Sequence, residues 1–343
     1  MEKQNSYTRH FIFLGITLIS MGLFNISIGS VDIPIPEIFK TLFGQTPSKS
    51  SWETIIINYR LPKTITAILV GSGLSVSGLL MQTLFRNPLA GPFVLGISSG
   101  ASLGVAIFLL GTGLLGGIFS FSAFLNWGLP FASSVGAFLV LLAVIIAANK
   151  VRNTMSILII GLMFGSLASA LISILSYFSE AEQIKQFVFW GFGSLGNLTW
   201  NEILIFFGVF VISAVGIFFS IKPLNSFLLG ENYAKSLGIN TKKSRNIILI
   251  VTSLLTGVIT AFCGPIAFIG LAVPHITKLI FKTSNHKILI PSVSLLGGII
   301  LLICDSIAQL PHSEFTLPIN AITSLFGAPV VIWLLVRKKK IYV

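Results

Sequence analysis

Few residues in this chain could do chemistry, and their spacing excludes most reaction types. Its 343 residues include ten Asp and Glu and four His, and these do not cluster in a catalytic pattern. His275 lies in an apolar run after Pro274, with no second ligand at helical spacing, so a structural histidine is favoured over a metal ligand. Cys263 and Cys304 also lie in apolar runs, and their spacing fits no zinc or redox motif. The sequence therefore predicts no catalytic residue and no metal site.

Nucleotide hydrolysis by this chain is not expected either. A phosphate-binding loop needs two glycines five residues apart, followed by Lys and Ser or Thr. The closest spacing, Gly91 to Gly96, continues with Ile97-Ser98 and lacks the lysine. We therefore expect no cofactor on this chain, and any ATP-driven step must use a partner.

Two basic residues at the start of one apolar run are candidates for binding, and one acid inside a later run also requires an explanation. Arg60 and Lys63 flank the start of one run, where basic side chains commonly snorkel to the membrane surface. They lie on the predicted outer side, against the usual bias of basic residues, which leaves them available for an acidic partner. Asp305 lies well inside a later run, where acids are costly and often functional. Asp305 could pair with a neighbouring helix or line the substrate pathway.

The elements that position these residues are membrane helices. Hydrophobic residues make up 54% and charged residues 9% of the chain, against about 25% charged in a soluble domain. A spanning helix needs roughly 20 apolar residues, and about ten such stretches are present. They lie near 11–28, 61–85, 93–114, 128–148, 155–178, 200–220, 245–263, 266–281, 289–309 and 318–336. The sequence predicts an all-α, polytopic membrane protein with a single domain over residues 1–343.

The formal net charge of +12 indicates topology, and nucleic-acid binding is not expected. Most basic residues fall in loops on one predicted side and at the two ends of the chain, as expected for cytoplasmic segments. An even number of spans then places both termini in the cytoplasm. The predicted location is the bacterial cytoplasmic (inner) membrane.

A patterned segment separates the sixth and seventh predicted spans. Leu229, Tyr233, Ala234 and Leu237 predict a short amphipathic helix that Gly238 closes as a C-cap. Such a helix suits docking into a groove on another protein. It also suits an interfacial position on lipid, and the residues alone leave both open.

Small residues recur every four positions in two spans. Gly96, Gly100 and Gly104 form one set, and Gly161, Gly165 and Ser169 form the other. Such faces let neighbouring helix backbones approach closely, and helix packing is the favoured explanation for both. A substrate pathway or a dimer contact is the alternative, and Gly161 and Gly165 are weak candidates for a pathway or gate.

Five motifs resemble the permease subunits of bacterial ABC importers for iron–siderophore, haem and cobalamin, the FecCD-like family. They lie between about residue 55 and the C-terminus. They are Arg60-Leu61-Pro62 with Arg86-Asn87-Pro88-Leu89-Ala90-Gly91-Pro92, Trp190-Gly191-Phe192-Gly193-Ser194-Leu195 with Trp200, Leu228 to Ile239, Gly264 to His275, and Leu317 to Pro329.

The resemblance implies a type II ABC importer permease architecture and roles for particular residues. Residues 228–239 would form the coupling helix that contacts an ATPase subunit, through Leu229, Gly230, Glu231, Ala234, Lys235, Ser236, Leu237 and Gly238. Arg60 and Lys63 would pair with glutamates on an external substrate-binding protein. A further family arginine corresponds here to about Gln309, a departure that weakens the full salt-bridge set. The family often carries an acid at the position of Asp305, so the resemblance favours structural pairing for this residue. By position alone, Asn153 and Thr154 are weak candidates for the inner gate.

The function implied is the permease subunit of an ATP-driven importer for an iron–siderophore complex, or for haem or cobalamin. Two copies would form the conduit, and two ATPase subunits would bind ATP and Mg²⁺. The alternative is an ion-coupled secondary transporter of a small organic solute. The spans lack the chain of acids and histidines that proton-coupled carriers use, but sodium coupling through backbone carbonyls stays open.

Overall fold

The computed structural model describes residues 2–111, 127–151, 154–196, 198–309 and 315–336, and these are mainly helical. The helices are α1 Glu2–Ser27, α2 Ile35–Leu42, α3 Ser50–Ile55, α4 Leu61–Leu84, α5 Ile97–Leu110, α6 Gly128–Lys150, α7 Thr154–Tyr177, α8 Ala181–Gly191, α9 Trp200–Phe227, α10 Glu231–Ser236, α11 Thr241–Cys263, α12 Ile269–Phe281, α13 His286–Ala308 and α14 Ile319–Val336. A π-helical segment, Ile56–Arg60, joins α3 to α4, and a 3-10 turn, Pro92–Leu95, precedes α5.

The ten predicted spans each correspond to an apolar helix. Within the described residues, seven helical stretches are long and apolar enough to cross a membrane, and three shorter apolar helices are α5, α12 and the stretch Ile319–Trp333 of α14. The continuous helix Ser50–Leu84 is the longest of the seven. The prediction of an all-α, polytopic membrane protein is therefore confirmed.

The Arg86-Asn87-Pro88 motif ends α4 for local reasons. Arg86 has a φ of 49°, a left-handed conformation that few residues other than glycine adopt. The Asn87 side chain accepts a hydrogen bond from the Leu89 backbone N–H at 2.9 Å, an Asx-turn arrangement typical of tight turns. Pro88 then cannot continue a helix, because it lacks a backbone N–H.

One compact unit consists of Met1–Val76, Ser194–Phe210 and Ala267–Val343. Within it α13 packs against α1, α12 and α14. Gly71 of α4 meets Gly297 of α13 so closely that a Cβ on either would overlap the carbonyl oxygen of the other. The Ser72 hydroxyl donates to the Ser294 carbonyl at 2.8 Å beside this contact. The two helices can approach this closely because glycine has no side chain at the point of contact.

The second compact unit consists of Ser77–Gly193 and Val211–Ile266. Within it α5 packs against α6, α7 and α8, and α11 packs against α6. A Cβ on Gly100 would lie 2.6 Å from the Gly136 carbonyl oxygen, and a Cβ on Gly96 would lie 2.6 Å from the Gly161 carbonyl oxygen. Helix packing, the favoured explanation for both small-residue faces, is confirmed. The assignment of residues 1–343 to a single domain stays a prediction.

Replacing Gly71 with alanine is expected to destabilise the protein. The added Cβ must displace the backbone of α13, and overpacking of this kind costs about 1–3 kcal/mol. Gly208→Ala is the matched control, because nothing lies within 4 Å of a Cβ added there and alanine is the better helix former. Thermal unfolding in detergent checks this, and equal midpoints for the two variants would contradict it.

Candidate functional site

The patterned segment forms a helix that is shorter than predicted. The sequence predicts a helix over about 228–239, whereas α10 covers only Glu231–Ser236. It cannot begin earlier, because Gly230 has a φ of +112°, far from helical values. The predicted cap is confirmed: Gly238 has a φ of +77°, and its N–H donates to the Lys235 carbonyl at 2.9 Å.

The α10 segment presents an apolar surface. Leu229, Tyr233 and Leu237 stand four residues apart and are 64%, 48% and 55% exposed. Ala234 is fully buried, so it seats the segment and cannot itself contact a partner. Of the four residues in the amphipathic pattern, Ala234 is thus the buried anchor and the other three form an exposed face. We call this exposed face, Leu229, Tyr233 and Leu237, the coupling face.

Polar contacts fix this segment to the start of α11. The Glu231 carboxylate accepts a hydrogen bond from the Thr241 hydroxyl at 3.2 Å and lies 3.2 Å from the Lys235 ammonium group. The Arg86 guanidinium lies beside Gly230, 3.6 Å from where a Cβ would stand. Lys235, Ser236 and Gly238 are exposed. Sequence reasoning missed the Arg86 and Thr241 contacts, because neither is implied by helical spacing.

Arg245, in the second turn of α11, holds the end of α6. Its side chain is buried, and its Nη2 donates to the Ala148 carbonyl at 2.7 Å. The next residue, Asn246, donates to the Asn149 side chain at 3.2 Å. A guanidinium is favourable there, because carbonyls in the last turn of a helix lack intrahelical partners. The α10 segment is thus connected through the first turns of α11 to the last turn of α6.

The candidate pathway glycines pack against the 3-10 turn before α5 and against α5 itself. Gly161 contacts the backbone of Val94 and Leu95, and Gly165 lies beside Ser99 of α5. Close packing accounts for both glycines, and their pathway role stays a prediction. Thr154 is the first residue of α7, and Asn153 lies outside the described residues.

Arg60 is buried, and its guanidinium is hydrogen-bonded within the chain. Its Nη1 donates to the carbonyls of Ile26 and Ser27 at 2.9 and 3.0 Å, and its Nη2 donates to the Val31 carbonyl. Ile26 and Ser27 end α1, so Arg60 supplies donors to carbonyls that the helix leaves without partners. Docking by Arg60 stays a prediction, and the structure gives this residue a structural role that the sequence did not reveal.

Lys63 is paired with Asp305. Its Nζ lies 3.1 Å from Asp305 Oδ1, and its side chain is 20% exposed. Asp305 Oδ2 accepts hydrogen bonds from Asn25 Nδ2 at 2.8 Å and from Gln309 Nε2 at 2.7 Å. The predicted pairing of Asp305 with a neighbouring helix is confirmed. Gln309, noted in the sequence as a departure from the family arginine, completes the network.

A cavity of about 320 Å³ opens beside this network, and Tyr59, Arg60, Lys63, Gly196, Gln309 and Thr316 are among its lining residues. Two basic residues line this cavity. The side chain of Lys63 is partly accessible, whereas Arg60 is buried against its carbonyl partners. An incoming carboxylate could therefore reach Lys63 only in competition with Asp305. Docking of a binding protein at Lys63 stays a prediction, and it requires the incoming carboxylate to compete with Asp305.

A side chain of α14 satisfies one backbone N–H in the break between α11 and α12. The Ala267 N–H donates to the Asn320 side chain of α14 at 3.1 Å, so a neighbouring helix rescues an N–H that no helix hydrogen bond uses. His275 is buried within α12, as expected for a structural histidine. Cys263 and Cys304 are also buried, as expected for packed thiols.

Comparison with known proteins identifies the family. The model of the FecCD transport family matches residues 16–337. The vitamin B12 import system permease protein BtuC of Citrobacter koseri is 36% identical over 289 residues, which cover 84% of each chain.

Two solved structures share the fold. A structure described as an inward-facing conformation of a transporter assigned to the metal-chelate ABC type superposes with a TM-score of 0.83 and 28% identity, and covers 96% of this chain and 99% of that one. PsaBC from Streptococcus pneumoniae, solved with a Fab, has a TM-score of 0.54 and 18% identity over 88% and 95% of the two chains, and so shares the fold alone. With the family model matching nearly the whole chain, this protein is a membrane-embedded transport component that belongs to the FecCD transport family.

Proposed function

We propose that this chain is the transmembrane permease subunit of an ATP-driven ABC importer that carries a metal chelate, with an iron–siderophore complex as the first choice. The coupling face carries the proposal. It is an apolar surface at a loop, fixed by Glu231 and Ala234, on a chain without a nucleotide-binding motif. A helix face of this kind suits a groove on another protein, and an ATPase subunit supplies the energy that the chain lacks.

Family membership supports the rest of the assembly. Two copies of the chain would form the conduit, and two ATPase subunits would bind ATP and Mg²⁺ and dock at the coupling faces. An external binding protein would deliver substrate near the cavity beside Lys63, in the bacterial inner membrane with both termini cytoplasmic. Vitamin B12 in the name of the Citrobacter relative and metal chelates in the description of the solved structure support a large chelate as the substrate class.

Uptake into proteoliposomes tests the proposal. The permease is reconstituted with and without its ATPase and internal ATP, and the binding protein is supplied outside with labelled ferric siderophore, haem or cobalamin. We expect ATP-dependent uptake of one chelate and none without the ATPase. Uptake by this chain alone along an ion gradient would overturn the proposal and favour the secondary transporter.

Arg245→Met is expected to lower ATP-driven uptake severalfold while the ATPase still binds. Methionine keeps the apolar stem but removes the donors to Ala148, so movement of the α10 segment would no longer be transmitted to the end of α6. The measurement is the ratio of ATP hydrolysed to chelate accumulated, which should rise. Lys243→Met, an exposed change two residues away, should leave the ratio unchanged, and an equal ratio in both variants would contradict the prediction.

A further inference from the structure

Helix α2 carries one broad apolar stripe, and the chain covers only one side of that stripe. Ile38 lies on the covered face, where it forms a buried cluster with Ile26, Ile33 and Ile56. On the adjacent, uncovered side Ile35, Phe39 and Phe43, the last of which directly follows α2, stand four residues apart and are 60%, 40% and 79% exposed. Exposed apolar groups aligned in this way indicate an interaction surface when they form a patch.

The position of α2 determines what can cover this face. Ile38 seats α2 on Ile26, in the last turn of α1, and on Ile56, just before α4. The helix therefore lies where two membrane helices end. Helix α1 also exposes large apolar side chains, including Ile19 and Phe24, as a helix in contact with lipid does, and α2 lies at the end of this helix.

The polar residues around α2 fit a position at the surface of a bilayer. Lys40 Nζ donates to Glu37 Oε1 at 2.7 Å, and this hydrogen bond, together with one from the Ser48 backbone, lowers the pKa of Glu37 to about 2. Glu37 also accepts from the Ser48 N–H at 2.7 Å, which ties the following loop to the helix. Lys40 remains partly exposed beside the apolar stripe, as basic side chains do where they extend from an interface toward water.

Aromatic residues lie close to α2, in the segment between α2 and α4. Trp52 of α3 packs against the cluster around Ile38, with Lys49 Nζ 5.1 Å from the centre of its ring. Tyr59 is exposed in the π-helical segment before α4. Tryptophan and tyrosine concentrate where membrane proteins cross the interface between lipid and water.

We infer that α2 is an interfacial helix whose Ile35, Phe39 and Phe43 insert at the boundary between lipid headgroups and acyl chains. The bilayer, and not another protein, covers this face. Inserted in this way, α2 anchors the connection between α1 and α4 to the membrane, together with the Arg60 contacts that close the end of α1. The inference is independent of the proposed substrate and of any ATPase.

Spin labels test it on the full chain in proteoliposomes. Cysteine is introduced at Phe39 or Phe43, and at Gln45 or Lys49 as exposed controls in the following loop. Cys263 and Cys304 are buried, and the parent protein gives the background labelling. Power saturation then compares collisions with oxygen, which concentrates in lipid, and with the water-soluble nickel complex NiEDDA.

We expect labels at 39 and 43 to favour oxygen over NiEDDA severalfold, and labels at 45 and 49 to show the reverse. Access of NiEDDA to 39 and 43 equal to that at the controls would overturn the inference, because the face would then lie in water. Exclusion of both reagents would also overturn it, because a protein would then cover the face. Unfolding temperatures of all four variants in detergent identify any that fail to fold. If the variants labelled at 39 or 43 do not fold, the label is placed at Ile35 instead. Its collisions are then compared in the parent and in the variants Phe39→Ser and Phe43→Ser.

Discussion

Asp305→Ala is expected to lower the free energy of unfolding by about 3 kcal/mol, because it leaves the Lys63 charge without its partner. The Asp305 carboxylate is buried and also accepts from Asn25 and Gln309. Removing it leaves two amide donors and one ammonium group in a site shaped for an anion. The estimate lies at the lower end for buried pairs, because Lys63 borders a cavity and can regain some hydration. Thermal and denaturant unfolding of the purified variant measures the loss.

A paired substitution separates the lost charge from lost packing. Lys63→Met combined with Asp305→Leu removes both charges and should recover much of the stability, since replacing a buried ion pair by apolar residues is often neutral. Asp305→Asn keeps the volume and an acceptor, so it should cost less than Asp305→Ala. An unfolding free energy for Asp305→Ala within about 0.5 kcal/mol of the parent, as for an ordinary surface change, would show that water already compensates Lys63.

Local signals in the sequence were sufficient for the ten apolar helices and for the end of α10, but not for the shorter helices α2, α3 and α8. Apolar runs marked all ten helices, because a bilayer requires long apolar stretches in its spanning segments, although α5 and α12 contain only 14 and 13 residues. Gly238 marked the end of α10 because a left-handed residue there requires no distant partner. The start of α10 was wrong by about three residues, since a glycine within an amphipathic pattern gives no sign of its φ.

The partners of Arg60 and Lys63 could not be predicted in the same way. Both residues stand at the start of a span, where snorkelling or an external acid explains a basic residue equally well. Their actual partners are carbonyls at the end of α1 and a carboxylate on α13. The Asn25–Asp305 contact joins positions 280 residues apart, and helical periodicity carries no information about such pairs. The Gly71–Gly297 contact was missed for the same reason.

The coupling face should prove necessary for ATPase binding. Leu229→Ser, Tyr233→Ser and Leu237→Ser, combined in one variant, remove the three exposed apolar groups without touching Ala234 or Glu231. Buried apolar and aromatic anchors often contribute more than 1 kcal/mol each to an interface, so we expect roughly a 100-fold weaker complex. The measurement is the dissociation constant of detergent-solubilised permease and ATPase, together with ATP-driven uptake, which should be lost.

The same variant separates a protein partner from lipid as the occupant of this face. Polar substitutions on an exposed face should change the unfolding free energy by only about 0.5 kcal/mol each, so unchanged folding with lost ATPase binding assigns the face to the ATPase. Asn232→Ser with Lys242→Ser, two exposed polar changes beside the face, should leave binding within a fewfold of the parent. Full ATPase binding by the triple variant would show that the face lies on the bilayer. The energy of ATP hydrolysis would then have to enter the permease elsewhere, and the first surface to test would be the loop at Arg86, which lies beside Gly230.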